Sequence, residues 1–249
     1  MDHQVGPLAA AARSTKRRED GMPEETAHPP AAFYDDLAAS YDRIYPNWEA
    51  SSRQQGDALH AVIAGERGPG PHQILDCAVG IGTQLLGLAV ADMRALPFAD
   101  KAFDVIVCAD NALPHLLTAA DVTRALGEMG RVARPDGLVV VTTRDYDQAR
   151  KDHPSTTPLS RSQGTDGSTT VTFQLWDWWP DGEHYDLRHF QVTGRDEHWR
   201  VAQRQTAYWA LTRAQLSGLA LKAGLVAPEW RGPDQTGFFQ PLLLTHAPR

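Results

Sequence analysis

The chain has 249 residues, 42% hydrophobic and 22% charged, with a formal net charge of −7. That balance suits a globular fold of one domain of about 200 residues plus a tail, or two small domains. An acidic chain lacks the basic face that wrapping duplex nucleic acid requires. No run of about 18 uncharged apolar residues is present to cross a membrane.

Residues 1–30 mix Ala, Pro and charge without a sustained period, and read as a disordered tail. Their apolar patch, 8–12, precedes Lys16-Arg17-Arg18, the reverse of a secretory signal. Residues 31–248 read as a single domain, with a helical lid over 31–66. Phe33, Leu37, Tyr41 and Ile44-Tyr45 recur at spacings of three and four, one face of a helix. Pro46 breaks that pattern, and a second helix is expected over 48–63. Gly and Pro make 66–72 a loop. Over a core of 73–147, strands are expected at 74–78, 103–109 and 138–143, with helices at 83–89 and 119–132. Pro135-Asp136-Gly137 forms the turn before the last strand. Strands alternating with helices imply an α/β fold with a parallel sheet covered on both faces.

After Arg144 the pattern changes. Residues 151–168 are polar and loop-like. An antiparallel insertion over 168–209 holds three strands, 169–178, 185–193 and 198–208, parted by Pro180-Asp181-Gly182 and Gly194-Arg195-Asp196. In the closing part, 210–248, a helix is expected over 212–223, capped by Thr212 and stopped by Gly224, then a strand over 238–245. Cys77 and Cys108 lie in apolar runs without metal-ligand spacing. They read as reduced thiols, with the cytoplasm as the expected compartment.

Asp76-Cys77-Ala78-Val79-Gly80-Ile81-Gly82-Thr83 is a strand end, a glycine turn and a helix start. Glycines at 80 and 82 let the backbone approach a ligand, and the helix N-terminus offers N–H groups to an anion. The dinucleotide version needs a third glycine where Leu85 stands, and Asp76 would repel a pyrophosphate. A carboxylate there suits a ligand with an ammonium and less negative charge. A purely structural glycine turn remains the alternative.

The loop resembles motif I of class I S-adenosylmethionine-dependent methyltransferases. Tyr34, Leu37-Ala38, Tyr41-Asp42, Tyr45, Trp48-Glu49 and Arg53-Gln54 resemble the helical cover of the glycine/sarcosine N-methyltransferase branch. Phe103-Asp104-Val105-Ile106 with Asn111-Ala112-Leu113-Pro114-His115-Leu116 is similar to its fourth-strand motif, and Thr142-Thr143-Arg144-Asp145-Tyr146-Asp147 to the segment after its fifth strand. The resemblance implies a Rossmann-like sheet, S-adenosylmethionine as cofactor and a small amine or amino acid as substrate. It places Ala78, Gly80 and Gly82 along the cofactor loop, with Asp76 near the cofactor's ammonium. Asp92 and Met93 fall at the adenine, and Tyr34, Tyr45 and Arg53 close over the cofactor. Asn111 and His115 line the transfer site, and Arg144 clamps the acceptor's carboxylate.

Methyl transfer to nitrogen is an in-line displacement at a sulfonium, so the protein chiefly aligns reactants and excludes water. His115 is a possible proton acceptor, with a structural or cofactor-contacting role as the stronger reading. Alternation puts Trp176 and Trp178 on one face and Trp179 on the other, which favours packing over a three-membered cation cage. His184, His189 and His198 lack a metal-ligand pattern, and no metal is expected.

One departure stands out. A full fold of this type needs a second strand ending in an acid that binds the ribose. Here Leu85-Leu86-Gly87-Leu88-Ala89 runs directly into Val90-Ala91-Asp92-Met93, and that strand and the helix after it are missing from the sequence. Two accounts follow: an internal deletion that damages the enzyme, or a segment 90–93 that fills the vacant place with Asp92 near the ribose. The competing functions are a degenerate relative serving as an interaction protein and, less well supported, a nicotinamide oxidoreductase.

Overall fold

The computed structural model describes residues 30–38, 40–78, 91–164 and 166–249. The expected tail up to residue 29, the helix expected at 83–89, and the loop residues Gly80 and Gly82 lie outside the described residues.

The chain begins with α1 (Pro30–Ala38), a short 3-10 turn (Tyr41–Ile44) and α2 (Trp48–Arg67). Asn47 caps α2, its Oδ1 accepting from the Ala50 N–H at 3.0 Å. The expected break at Pro46 therefore falls just ahead of that cap.

Five strands form the main sheet: β1 (Ile74–Asp76), β2 (Phe103–Cys108), β3 (Ala133–Thr142), β8 (Val226–Arg231) and β9 (Leu242–His246). Their order is β1-β2-β3-β9-β8. The first three are parallel, whereas β9 runs antiparallel to both β3 and β8. The sheet is thus mixed, because β9 enters as the return arm of an antiparallel pair. Between β2 and β3 runs α3 (Ala119–Val132), which buries Val122, Ala125, Leu126, Met129 and Val132. That stripe is the amphipathic pattern of a helix with one core face. The Thr118 hydroxyl opens α3 by accepting from the Asp121 N–H at 3.1 Å. Its core cluster includes Ile106, Val139, Val141 and Leu243, and α5 (Arg213–Lys222) packs onto the same face. The opposite face of the sheet is covered by Ala58, Val62 and Ile63 of α2. Thr212 and Gln215 make a reciprocal capping box at the start of α5. Gly224 follows the helix at φ +91°, a conformation that favours glycine.

The second sheet is antiparallel, in the order β4-β5-β6-β7, with β4 (Ser160–Gln163), β5 (Thr169–Trp178), β6 (His184–Arg195) and β7 (His198–Trp209). Its inner face carries an aromatic cluster: Phe33 and Leu37 of α1 meet Tyr146, Trp176, Tyr185 and Tyr208. Trp176 stacks on Tyr185 at 4.5 Å, and Trp179 stacks on His184 at 5.0 Å. The tryptophans therefore pack, as their alternation implies.

Several elements depart from the sequence expectations: the strand expected over 238–245 forms only at Leu242–His246, and a helical turn at Pro233–Thr236 was not expected. α4 (Tyr146–Asp152) forms just after Arg144, where no element was expected, and runs into the first two residues of the loop expected over 151–168; Asp145 starts it, its Oδ1 accepting from the Gln148 N–H at 3.2 Å. β4 has no apolar alternation. Its ladder with β5, and the Ser162 hydroxyl donating to the Arg43 carbonyl at 3.0 Å, hold it in place. β8 contains Pro228 and a bulge, with Ala227 at φ 52° and a register shift between Val226 and Glu229. The expected strand substitution by 90–93 is not met over its described part. Residues 91–93 form no strand, and the ladder of β1 among the described residues is to β2. Val90 lies outside the described residues.

Candidate active site

The C-terminal ends of β2 and β3 open into a cavity of about 480 Å³, roofed by α1 and the 3-10 turn and walled by the second sheet. Such strand ends flank the ligand crevice of open α/β sheets. The chain leaves β2 through two successive left-handed residues, Asp110 at φ 54° and Asn111 at φ 63°. Asp and Asn tolerate this conformation better than other side-chain-bearing residues. Thr142 at the end of β3 pins the turn. Its hydroxyl accepts from the Asp110 N–H at 2.8 Å, and its carbonyl from the Asn111 N–H at 3.3 Å.

Asn111 is buried and acts as a strut. Its Nδ2 donates to the Tyr146 hydroxyl at 2.9 Å, and its Oδ1 accepts from the Arg144 N–H at 3.1 Å. The fourth-strand segment thereby sets the position of Arg144. The Arg144 guanidinium lines the cavity, donating to the Tyr185 hydroxyl at 3.2 Å and to Gln174 Oε1 at 3.1 Å. It lies 4.7 Å from the Trp176 ring centroid and 5.5 Å from that of Tyr208. No carboxylate among the described residues forms an ion pair with it. Surrounding aromatic hydroxyls and Asp110 favour its charged form, outweighing burial. The result is a positioned cation with Asp110 on the same cavity but no carboxylate in ion-pair contact among the described residues.

Asp110 lines the same cavity. Its Oδ2 accepts from the Tyr41 hydroxyl at 3.0 Å and from that of Tyr45 at 3.5 Å. Burial holds its carboxyl above the usual range, against the pull of Tyr41 and Arg144. His189, also on the wall, is pushed down to about 4 by burial and by Arg204 and Arg144. Its buried Nε2 has no hydrogen-bond partner among the described residues. A buried ring nitrogen left open on a cavity wall fits a polar occupant.

Tyr34 and Tyr45 also line this cavity. His115 sits behind Tyr34, with its Nε2 3.1 Å from the Tyr34 hydroxyl and its Nδ1 3.2 Å from that of Thr206. It packs against the Tyr208 ring at 4.1 Å. Burial pushes it down to about 3, so it is neutral near pH 7 and weakly basic.

The other sequence-derived positions lie apart. Asp76 borders a second cavity of about 450 Å³ between α2 and β1, together with Leu59, Ile63 and Val107. Its Oδ1 accepts from the Ala78 N–H at 2.8 Å, and burial raises its carboxyl. Arg53 is exposed on α2. Met93 packs at the edge of the α3 core cluster. The Asp92 carboxylate is held by Arg94, at 2.7 Å from Nη2, and Arg94 also reaches Asp121 at 3.0 Å. That hydrogen bonding keeps Asp92 below the usual carboxylate range.

Residues 69–141 match the family model of a methyltransferase domain. Over 134 residues the chain is 30% identical to an uncharacterized protein of Methanocaldococcus jannaschii, covering 46% of this chain and 52% of that protein. Over 158 residues it is 24% identical to a glycine/sarcosine N-methyltransferase of Parasynechococcus marenigrum, covering 50% and 55%. The chain thus spans about half the length of these curated relatives. Among solved structures, the sugar N-methyltransferase KedS8 of a Streptoalloteichus species superposes with a TM-score of 0.62 at 14% identity, over 98% of this chain and 100% of that one. The S-adenosylmethionine-bound amino pentose methyltransferase CalS10 of Micromonospora echinaspora superposes with a TM-score of 0.60 at 18% identity, over 80% and 96%. The fold is that of the class I S-adenosylmethionine-dependent methyltransferases.

S-adenosylmethionine is the cofactor that goes with this methyltransferase fold, and one observation tests the fit. Asp76 is a half-buried carboxylate at the C-terminal end of β1, with the Ala78 N–H as its hydrogen-bond donor and no cation paired to it among the described residues. An ammonium would satisfy it. Sequence reasoning overlooked Asp110 because the adjacent Asn111 carried the resemblance. Its place directly after an apolar strand, at the crevice end of the sheet, was the available signal.

Proposed function

We propose that the chain transfers a methyl group from S-adenosylmethionine to the nitrogen of a small amine that carries a carboxylate, of the glycine or sarcosine type. The observation that carries this reading is Arg144, a guanidinium facing a cavity with no carboxylate paired to it among the described residues. Tyr185, Gln174 and Trp176 hold its planar donor fork, a shape that suits a carboxylate. In this reading Arg144 orients the acceptor. Asn111 sets Arg144 through the backbone, and the walls of Phe33, Leu37 and Tyr208 keep water out. His115, with its proton affinity lowered to about 3, holds Tyr34 in place and is a poor base.

The cofactor supplies the electrophilic methyl. Toward it we assign Tyr34, Tyr45, Arg53, Asp76, Ala78, Gly80, Gly82, Asp92 and Met93. Asp92 must share its carboxylate with Arg94 to serve there. The shortened stretch after Ala78 remains part of the proposal: it removes the strand whose acid would bind the ribose, and it weakens cofactor binding by about tenfold to a hundredfold.

The second reading, a degenerate relative that acts by interaction, is supported by the absence from the sequence of the second strand and its acid, and opposed by the retained Gly80, Gly82, Asn111 and Arg144. Calorimetry with S-adenosylmethionine and with NADH separates the readings. Heat with the first supports methyl transfer, heat with the second supports an oxidoreductase, and heat with neither leaves the interaction protein. Labelled methyl transfer to a panel of amines then identifies the acceptor.

A further inference from the structure

Two opposite charges, Arg144 and Asp110, face one cavity without forming an ion pair with each other. Arg144 is paired with no carboxylate, and Asp110 forms no ion pair among the described residues. The other carboxylate on the cavity, Asp145, is already engaged, capping α4 and meeting Arg213 at 3.2 Å. Arg144 is the one permanent cation among the described lining residues, since His189 is neutral near pH 7.

Asp110 retains room for a ligand. A carboxylate offers about four lone-pair sites. Among the described residues, Oδ2 takes the Tyr41 hydroxyl and a long contact from Tyr45, and Oδ1 takes only a 3.5 Å contact from Gln240. The backbone turn at 110–111 and the Asn111 link to Arg144 hold both charged groups on one frame. Desolvated charges are costly unless compensated.

We propose that Asp110 seats the ammonium of the acceptor while Arg144 holds its carboxylate, so that the cavity selects zwitterions over plain carboxylates and plain amines. This rests on the reading of the chain as an amine methyltransferase and adds a determinant of which amines it takes; the seated ammonium gives up one proton to water before its nitrogen attacks the methyl, because only the free amine has a lone pair. Burial disfavours the ionised Asp110 carboxylate against the pull of Tyr41 and Arg144, and a bound ammonium adds a counter-charge in direct contact.

The test is calorimetric binding to the full chain saturated with S-adenosylhomocysteine. The probes are glycine against glycolate and β-alanine against 3-hydroxypropionate, pairs that differ in the ammonium alone. Wild type is expected to bind the amino member of at least one pair about tenfold or more tighter. Asp110→Asn is expected to bring that ratio near one, with S-adenosylhomocysteine affinity and the unfolding midpoint kept. Two results overturn the inference: wild type showing no such preference, or Asp110→Asn retaining it. If Asp110→Asn fails to fold, the wild-type ratio decides. Failure of the methyl-transfer reading looks different: the zwitterion binds, yet no labelled methyl reaches its nitrogen.

Discussion

The five-stranded sheet serves the cavity through its backbone, whereas the four-stranded sheet serves it through bulk. Leaving β2 and β3, the chain turns through Asp110, Asn111 and Arg144, tied by Thr142 and by the Asn111 amide. The second sheet contributes Gln174, Leu187, His189 and Tyr208 as walls, with Trp176 and Tyr185 stacked behind Arg144. The first region fixes where charge sits, and the second sets how dry that charge is. Position therefore depends on a few hydrogen bonds, and the environment on packed area.

Substitutions can break or sharpen this contrast. The largest expected loss of stability comes from Leu126→Ala, which hollows the fully buried core under the first sheet and costs about 2–5 kcal/mol. Because Leu126 is absent from the cavity lining, chemical denaturation should record the loss while KM for the acceptor holds. Arg144→Ala should act the other way. Transfer to a carboxylate-bearing amine should fall by about a hundredfold, mostly through KM, with a smaller effect on amines lacking the carboxylate. Equal loss on both kinds of amine would refute the clamp.

Asn111→Ala strips the Tyr146 hydroxyl and the Arg144 N–H of their shared partner. It should cost about 1–3 kcal/mol in thermal unfolding and weaken the acceptor as well, because Asn111 serves both position and packing. The pH response reads how dry the seam between the two regions is, since His115 follows β2 and packs on Tyr208 while His189 stands on β6. His115 and His189 are pushed down to about 3 and about 4 in the folded protein, so the unfolded chain binds more protons between those values and about 6.5. Stability from this source is present above pH 6.5 and is lost as pH falls toward 4. His115→Gln should flatten that slope in a Tm-against-pH series. The smallest effect is expected at Trp199, half exposed near the β6–β7 turn: Trp199→Ser should stay within about 0.5 kcal/mol.

Much of this arrangement is legible in the sequence. The boundaries of α3 follow from Thr118 and a clean apolar stripe, and those of α5 from Thr212 and Gly224. The long strands β5, β6 and β7 follow from alternation and hairpin turns. What escapes the sequence is held by tertiary partners rather than by local pattern. α4 is short and polar, β4 is fastened by Arg43 and β5, and β8 carries a proline and a bulge. The site divides in the same way. Asn111 and Arg144 stand in recognisable segments, but their hydrogen bond does not show in their spacing. Asp110 looks like an ordinary acid after a strand until Tyr41 and Tyr45, some 65–70 positions earlier in the chain, are found on its carboxylate.

The most direct test of the account mixes the full chain with S-adenosylmethionine labelled in its methyl group and with glycine, sarcosine and β-alanine in turn, beside methylamine. The account predicts label on the nitrogen of a carboxylate-bearing amine, in preference to methylamine, and loss of that preference in Arg144→Ala. Absence of label from every acceptor, with no heat when S-adenosylmethionine is titrated in, would contradict it.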